Sequence, residues 1–108
     1  MKSLLLGAAL AALFAAPAFA EDANVKVVLK DHRFVPQEIS APAGKPVVIV
    51  LTNQDTTPAE FESKTLRVEK LLPAGGTVSV RVRALEAGRY RFFDDYHEDT
   101  TEGFLNVK

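Results

Sequence analysis

Between Asp94 and Glu102 the chain reads DDYHEDTTE, which places Asp94, Asp95, Glu98, Asp99 and Glu102 around His97. The preceding residues, GRYRFF, alternate as a strand does, with Tyr90, Phe92 and Asp94 on one face and Arg89, Arg91 and Phe93 on the other. A strand that delivers a carboxylate and an imidazole three residues apart into one short loop has the layout of a metal site. If Tyr90 and Phe92 point inward, so does Asp94, and a semi-buried carboxylate needs a cation, a metal or an arginine as partner. A second pair of carboxylates, Glu60 and Glu62, flanks Phe61. With Phe61 in a core, both would share the opposite face, as paired ligands or as a solvated surface. His32 follows the first strand and is expected in an exposed turn.

The elements that must position these groups are short and β-rich. Asn24–Lys30, Gln37–Ala41, Pro46–Thr52, Arg67–Leu72 and Thr77–Arg83 read as strands, separated by signals such as Pro42-Ala43-Gly44 and Pro73–Gly76. Ala59–Leu66 reads as a strand end running into a short helical turn capped by Ser63. Gly103 closes the acidic loop, and Phe104–Val107 forms the last strand. With no sustained helical period, the expected fold is an all-β, antiparallel Greek-key β-sandwich of seven or eight strands. Its core draws on Val27, Leu29, Phe34, Ile39, Val48, Val50, Phe61, Leu66, Val78, Val80, Tyr90, Phe92 and Leu105.

Met1–Ala20 has the pattern of a cleavable export signal: Lys2, then the uncharged apolar run Leu4–Ala16, then Ala18-Phe19-Ala20. The expectation is a signal peptide at 1–20 and one soluble periplasmic domain at 21–108. Without Lys2, 12 basic residues face 14 acidic ones, a net charge near −2 that offers no footprint for nucleic acid. The chain has no Cys, and its only Met is Met1. A site here therefore has neither thiolate nor thioether to offer. No Ser lies near a His at a hydrolase spacing.

In order, Phe34-x-Pro36, Ala43-Gly44, a buried strand ending in Asn53-x-Asp55, Gly76 with an alternating strand, and Gly88-x-Tyr90-x-Phe92 closely resemble the cupredoxins. The resemblance covers essentially all of residues 21–108. That family's last strand carries G-x-Y-x-F-x-C-x-x-H and a later Met. Here Gly88, Tyr90, Phe92 and His97 match, Asp94 stands at the Cys position, and Glu102 stands near the Met position. Glu60, or less so Glu62, stands where the first His would be. The resemblance thus implies a metal site of His97, Asp94, Glu60, Glu62 and Glu102, unable to form a blue-copper centre. Carboxylates with one imidazole suit iron, manganese or a non-blue copper(II). Glu60–Ser63, Glu69-Lys70 and Phe93-Asp94-Asp95-x-His97 resemble more narrowly the cupredoxin-like (EfeO-type) domains of periplasmic ferrous-iron uptake systems. That likeness implies a copper or iron ion, help in oxidising or handing on ferrous iron, and an iron permease among the partners. The alternative is a metal-free docking domain whose acidic loop meets a basic patch on a transport complex.

Overall fold

The computed structural model describes residues 22–108; the export-signal reading of 1–20 lies outside them. Among the described residues nine strands make two sheets: β1 (Ala23–Lys30), β2 (Arg33–Val35), β3 (Glu38–Ala41), β4 (Val47–Asn53), β5 (Ala59–Ser63), β6 (Val68–Leu72), β7 (Thr77–Val82), β8 (Gly88–Asp94) and β9 (Glu102–Val107). One sheet runs β2-β1-β4-β7 and the other β3-β9-β8-β5-β6. A single 3-10 turn, Asp95–His97, follows β8. Among the described residues no helix is long and apolar enough to cross a membrane.

The all-β sandwich is as expected, but its sheets are mixed. β1 pairs with β4, and β3 with β9, in parallel. Each parallel pair joins strands distant in sequence, so no hairpin signal announces it. The additional strand is β2, which turns back on β1 through Asp31 and His32 alone, with Lys30 opposite Arg33.

Alternation places the core between the sheets. In β7, Val80 and Val82 are buried and Val78 is partly so. In β4 the buried residues are Val47, Ile49 and Leu51, while Val48 and Val50 are only half-buried, one position out of phase with expectation. The register explains it. Val47, Ile49 and Leu51 lie opposite Val82, Val80 and Val78, whereas Val48 and Val50 lie opposite Arg81 and Ser79. An all-apolar strand carries no phase of its own and takes that of its amphipathic neighbour.

Three phenylalanines fill one end of the core. The Phe92 ring lies 5.1 Å from Phe34 and 5.0 Å from Phe61 between centroids. Gly103 belongs to β9 rather than to the loop, opposite Phe92 in the ladder. A Cβ there would meet the Phe92 ring at 2.5 Å and the Gln37 carbonyl at 2.8 Å, so only glycine fits. At the entry to β8, the Tyr90 hydroxyl donates to the Glu86 carbonyl at 2.7 Å and pins the preceding turn. These contacts fix how β8 delivers Asp94 to the edge of the sandwich.

Candidate metal centre

Three connections meet at one end of the sandwich: the β1–β2 turn, the β4–β5 loop and the β8–β9 loop. Asn53, fully buried, organises the second of these. Its amide donates to the carbonyls of Thr57 and Leu72, and its side-chain oxygen accepts from Asp55 N–H. Asp55 then accepts from the backbone N–H of Asp31 (2.7 Å) and His32 (3.0 Å). Thr101, also buried, donates its hydroxyl to the His32 carbonyl at 2.7 Å, so the third loop is tied to the first.

Asp94 ends β8 on the core face, beside Phe61, and is 1 % exposed. Its carboxylate is held by protein donors. One oxygen accepts from the N–H of Glu60 and of Tyr96, each at 3.0 Å, and the other lies 3.2 Å from His97 Nδ1. It therefore caps the 3-10 turn that carries His97 and ties that turn to β5. Among the described residues no arginine pairs with it; Arg89 pairs with Glu38 instead.

Glu60 and Glu62 alternate with buried Ala59, Phe61 and Ser63, so they project from the outer face of the same sheet. Asp95 joins them there. One carboxylate oxygen each from Glu60, Glu62 and Asp95 lie within 4.8 Å of one another. Glu69 lies directly opposite Glu62 across the β5–β6 ladder, an arrangement of like charges that costs stability. The pKa of both glutamates is raised from the ordinary value. For Glu60 the causes are partial burial, then Glu69, Asp95 and Glu62; for Glu62 they are partial burial, then Asp95 and Glu69, with Lys64 opposing.

Glu102 is placed apart from that trio. It accepts from Arg91 Nε at 2.7 Å, and Arg91 also reaches Glu98 at 3.2 Å. The Glu102 hydrogen bond is the main reason the Arg91 pKa is raised. The Arg91 guanidinium lies 4.6 Å above the Phe93 ring and helps to cover it. Of the five residues expected to form a site, Asp94 and His97 meet on the core side, Glu60 and Glu62 meet on the outer side, and Glu102 is paired with Arg91. Asp94 is the hinge between the first two groups, through the Glu60 N–H. Asp95 was not singled out from sequence. The signal for it was the alternation itself, because Arg91, Phe93 and Asp95 continue one face past Asp94.

The raised carboxyls have a measurable consequence. A carboxyl with a higher pKa in the folded state holds its proton better there than in the unfolded chain. Its stabilising effect is complete in acid, below the unfolded value, and is lost as pH rises through the folded value. In chelator, a Glu60→Gln/Glu62→Gln variant is thus expected to melt higher than the wild type near neutrality. That advantage should shrink as pH falls through the carboxylate range and vanish well below the ordinary glutamate pKa of about 4.3, where both side chains are protonated. Equal melting temperatures at both pH values would mean that the charges do not repel.

Residues 3–107 match the cupredoxin-like domain family. An uncharacterised protein of Rickettsia prowazekii (strain Madrid E) is 36% identical over 84 residues, 78% of this chain and 67% of that protein. Among solved structures, auracyanin A, a blue copper protein of Chloroflexus aurantiacus, superposes with a TM-score of 0.70 at 16% identity, covering 82% of this chain and 100% of that one. The metal-binding domain of the Streptococcus pneumoniae D39 Cu(I)-exporting ATPase CopA, solved with Cu(I), gives 0.68 at 15% identity, over 79% and 84%. A purple cupredoxin from Nitrosopumilus maritimus gives 0.61 at 16% identity, over 78% and 99%. At such identities these structures speak to the fold alone.

Proposed function

The chain belongs to the cupredoxin-like domain family, and on that premise we propose that it is an exported, periplasmic metal-binding accessory of ferrous-iron uptake. A thiolate-based copper centre does not fit, because the chain has no Cys and Asp94 occupies the corresponding place. A harder ion fits the donors that are present. The observation that carries the reading is the convergence of Glu60, Glu62 and Asp95 within 4.8 Å, with the pKa of both glutamates raised by burial and by neighbouring carboxylates. Burial alone would explain a raised pKa. Convergence of like charges on a partly desolvated face favours a cation as the ligand.

In this reading Glu60, Glu62 and Asp95 hold the ion as cargo, and Asp94 keeps Glu60 and the His97 turn in place. Oxygen donors favour the more highly charged ion of the iron couple and so assist its capture. Copper, the metal named with auracyanin A and with the CopA metal-binding domain, is the competing ion. Glu102 takes part through Arg91, by fixing the last strand beside the acidic face. The partner is an iron permease or another component of the same transport complex, met through this acidic face.

The test is growth on ferrous iron as the sole iron source in cells lacking the chain. Wild type is expected to restore uptake and Glu60→Gln/Glu62→Gln to fail while still accumulating as folded protein. Full restoration by the variant would replace this reading with that of a metal-independent docking domain.

A further inference from the structure

We propose a second metal site, built on an imidazole pair: His32 and His97 bind one borderline divalent ion, copper(II) or zinc(II), through their Nε2 atoms. The inference shares the Asp94–His97 turn with the reading above but takes none of Glu60, Glu62 and Asp95 as a ligand, and calls for a different class of ion.

The two rings come from loops 65 residues apart in sequence, yet their centroids lie 4.6 Å apart with the planes tilted by 42°. At a metal–nitrogen distance of about 2.0 Å, two imidazoles on one ion have centroids about 4.5 Å apart for a right-angled bite and about 5.2 Å for a tetrahedral one. The observed separation falls in that range.

Each ring also has an acid behind it. His97 Nδ1 lies 3.2 Å from Asp94, and His32 Nδ1 lies 3.8 Å from Asp55. At His97 the carboxylate is within hydrogen-bond reach of Nδ1, which fixes the ring and makes Nε2 the better donor, as in metal sites generally; at His32 the carboxylate stands near the ring as a counter-charge. Both side chains remain 42–48% exposed, so an ion has access. Two protein nitrogens leave further coordination positions to solvent or to an incoming ligand, which suits an exchangeable ion rather than a structural one.

The backbone at His32 supports a functional assignment. Asp31 and His32 form the two-residue turn with φ of +52° and +59°, a conformation that glycine or asparagine adopts at less cost. That conformation is held by Asp55 through both N–H groups and by Thr101 through the His32 carbonyl. Three hydrogen bonds from two other loops thus hold an imidazole in a place where turn chemistry alone would favour another residue.

Copper(II) titration followed by electron paramagnetic resonance tests this. The parent is the Glu60→Gln/Glu62→Gln chain, in which the acidic group cannot compete. It should bind one copper with hyperfine coupling from two imidazole nitrogens. His32→Asn, which suits the turn, and His97→Gln should each leave one nitrogen and weaken binding by at least about tenfold. Unchanged affinity and nitrogen count in both variants, or no copper bound by the parent, would overturn the proposal. Manganese(II) binding to otherwise wild-type His32→Asn is expected to be unaffected, which separates failure here from failure of the carboxylate site.

Discussion

Asp94→Ala should lower the free energy of unfolding by about 3 kcal/mol, whereas Asp94→Asn should cost about 1 kcal/mol or less. The difference follows from what the carboxylate holds. One oxygen accepts two backbone N–H groups, those of Glu60 and Tyr96, from different strands of chain. Alanine leaves both donors without a partner at a position that is 1 % exposed, and an unmet buried donor costs about 1–3 kcal/mol. It also removes the cap of the 3-10 turn that carries His97. The amide of asparagine keeps the accepting oxygen and turns its NH2 toward His97. Urea unfolding of the three proteins measures this directly. Similar midpoints for Ala and Asn would mean that Asp94 is not the acceptor organising this edge.

That result would also explain how a cupredoxin-like chain tolerates a carboxylate at the Cys position. The buried acid stands on the phenylalanine cluster, and its lone pairs are directed at protein donors. The outward-facing acids are the ones short of partners. Glu60 and Glu62 have Asp95 and Glu69 beside them, and Lys64 opposes at Glu62.

Much of this arrangement was legible along the chain, where neighbouring residues decide the outcome. Strict alternation in Thr77–Val82 oriented β7 correctly, and the G-x-Y-x-F spacing placed Tyr90, Phe92 and Asp94 on one face. The same rule separates Glu60 and Glu62, which oppose Phe61, from Asp94, which shares its face. Family position drew those residues together instead, and the fold sets them on two sides of one sheet. Glu102 illustrates the limit of position alone: a cross-strand arginine, Arg91, takes it as an ion-pair partner. Phase in β4 depends on a partner strand, and so Val48 and Val50 were misassigned to the core. His32 depends on more. Its approach to His97 requires the β1–β2 turn, the Asp55 carboxylate and the Thr101 hydroxyl to meet, and no local spacing encodes that meeting.

The larger expected effect concerns the acidic face itself. Removing the charge of Glu60 and Glu62 together takes two of the three converging oxygen donors from a hard ion. Each tenfold in affinity corresponds to about 1.4 kcal/mol, and the loss of two anionic ligands should exceed about a hundredfold. The variant lacks the repulsion between these side chains, so weaker binding could not be ascribed to a less stable fold. Calorimetric titration with manganese(II), an oxygen-seeking ion free of the hydrolysis that complicates iron(III), is the most direct measurement. Wild type should bind one ion per chain, and Glu60→Gln/Glu62→Gln should lose that binding. Equal affinity in the two proteins, or binding by wild type no tighter than a loose acidic surface provides, would contradict a metal centre at Glu60, Glu62 and Asp95.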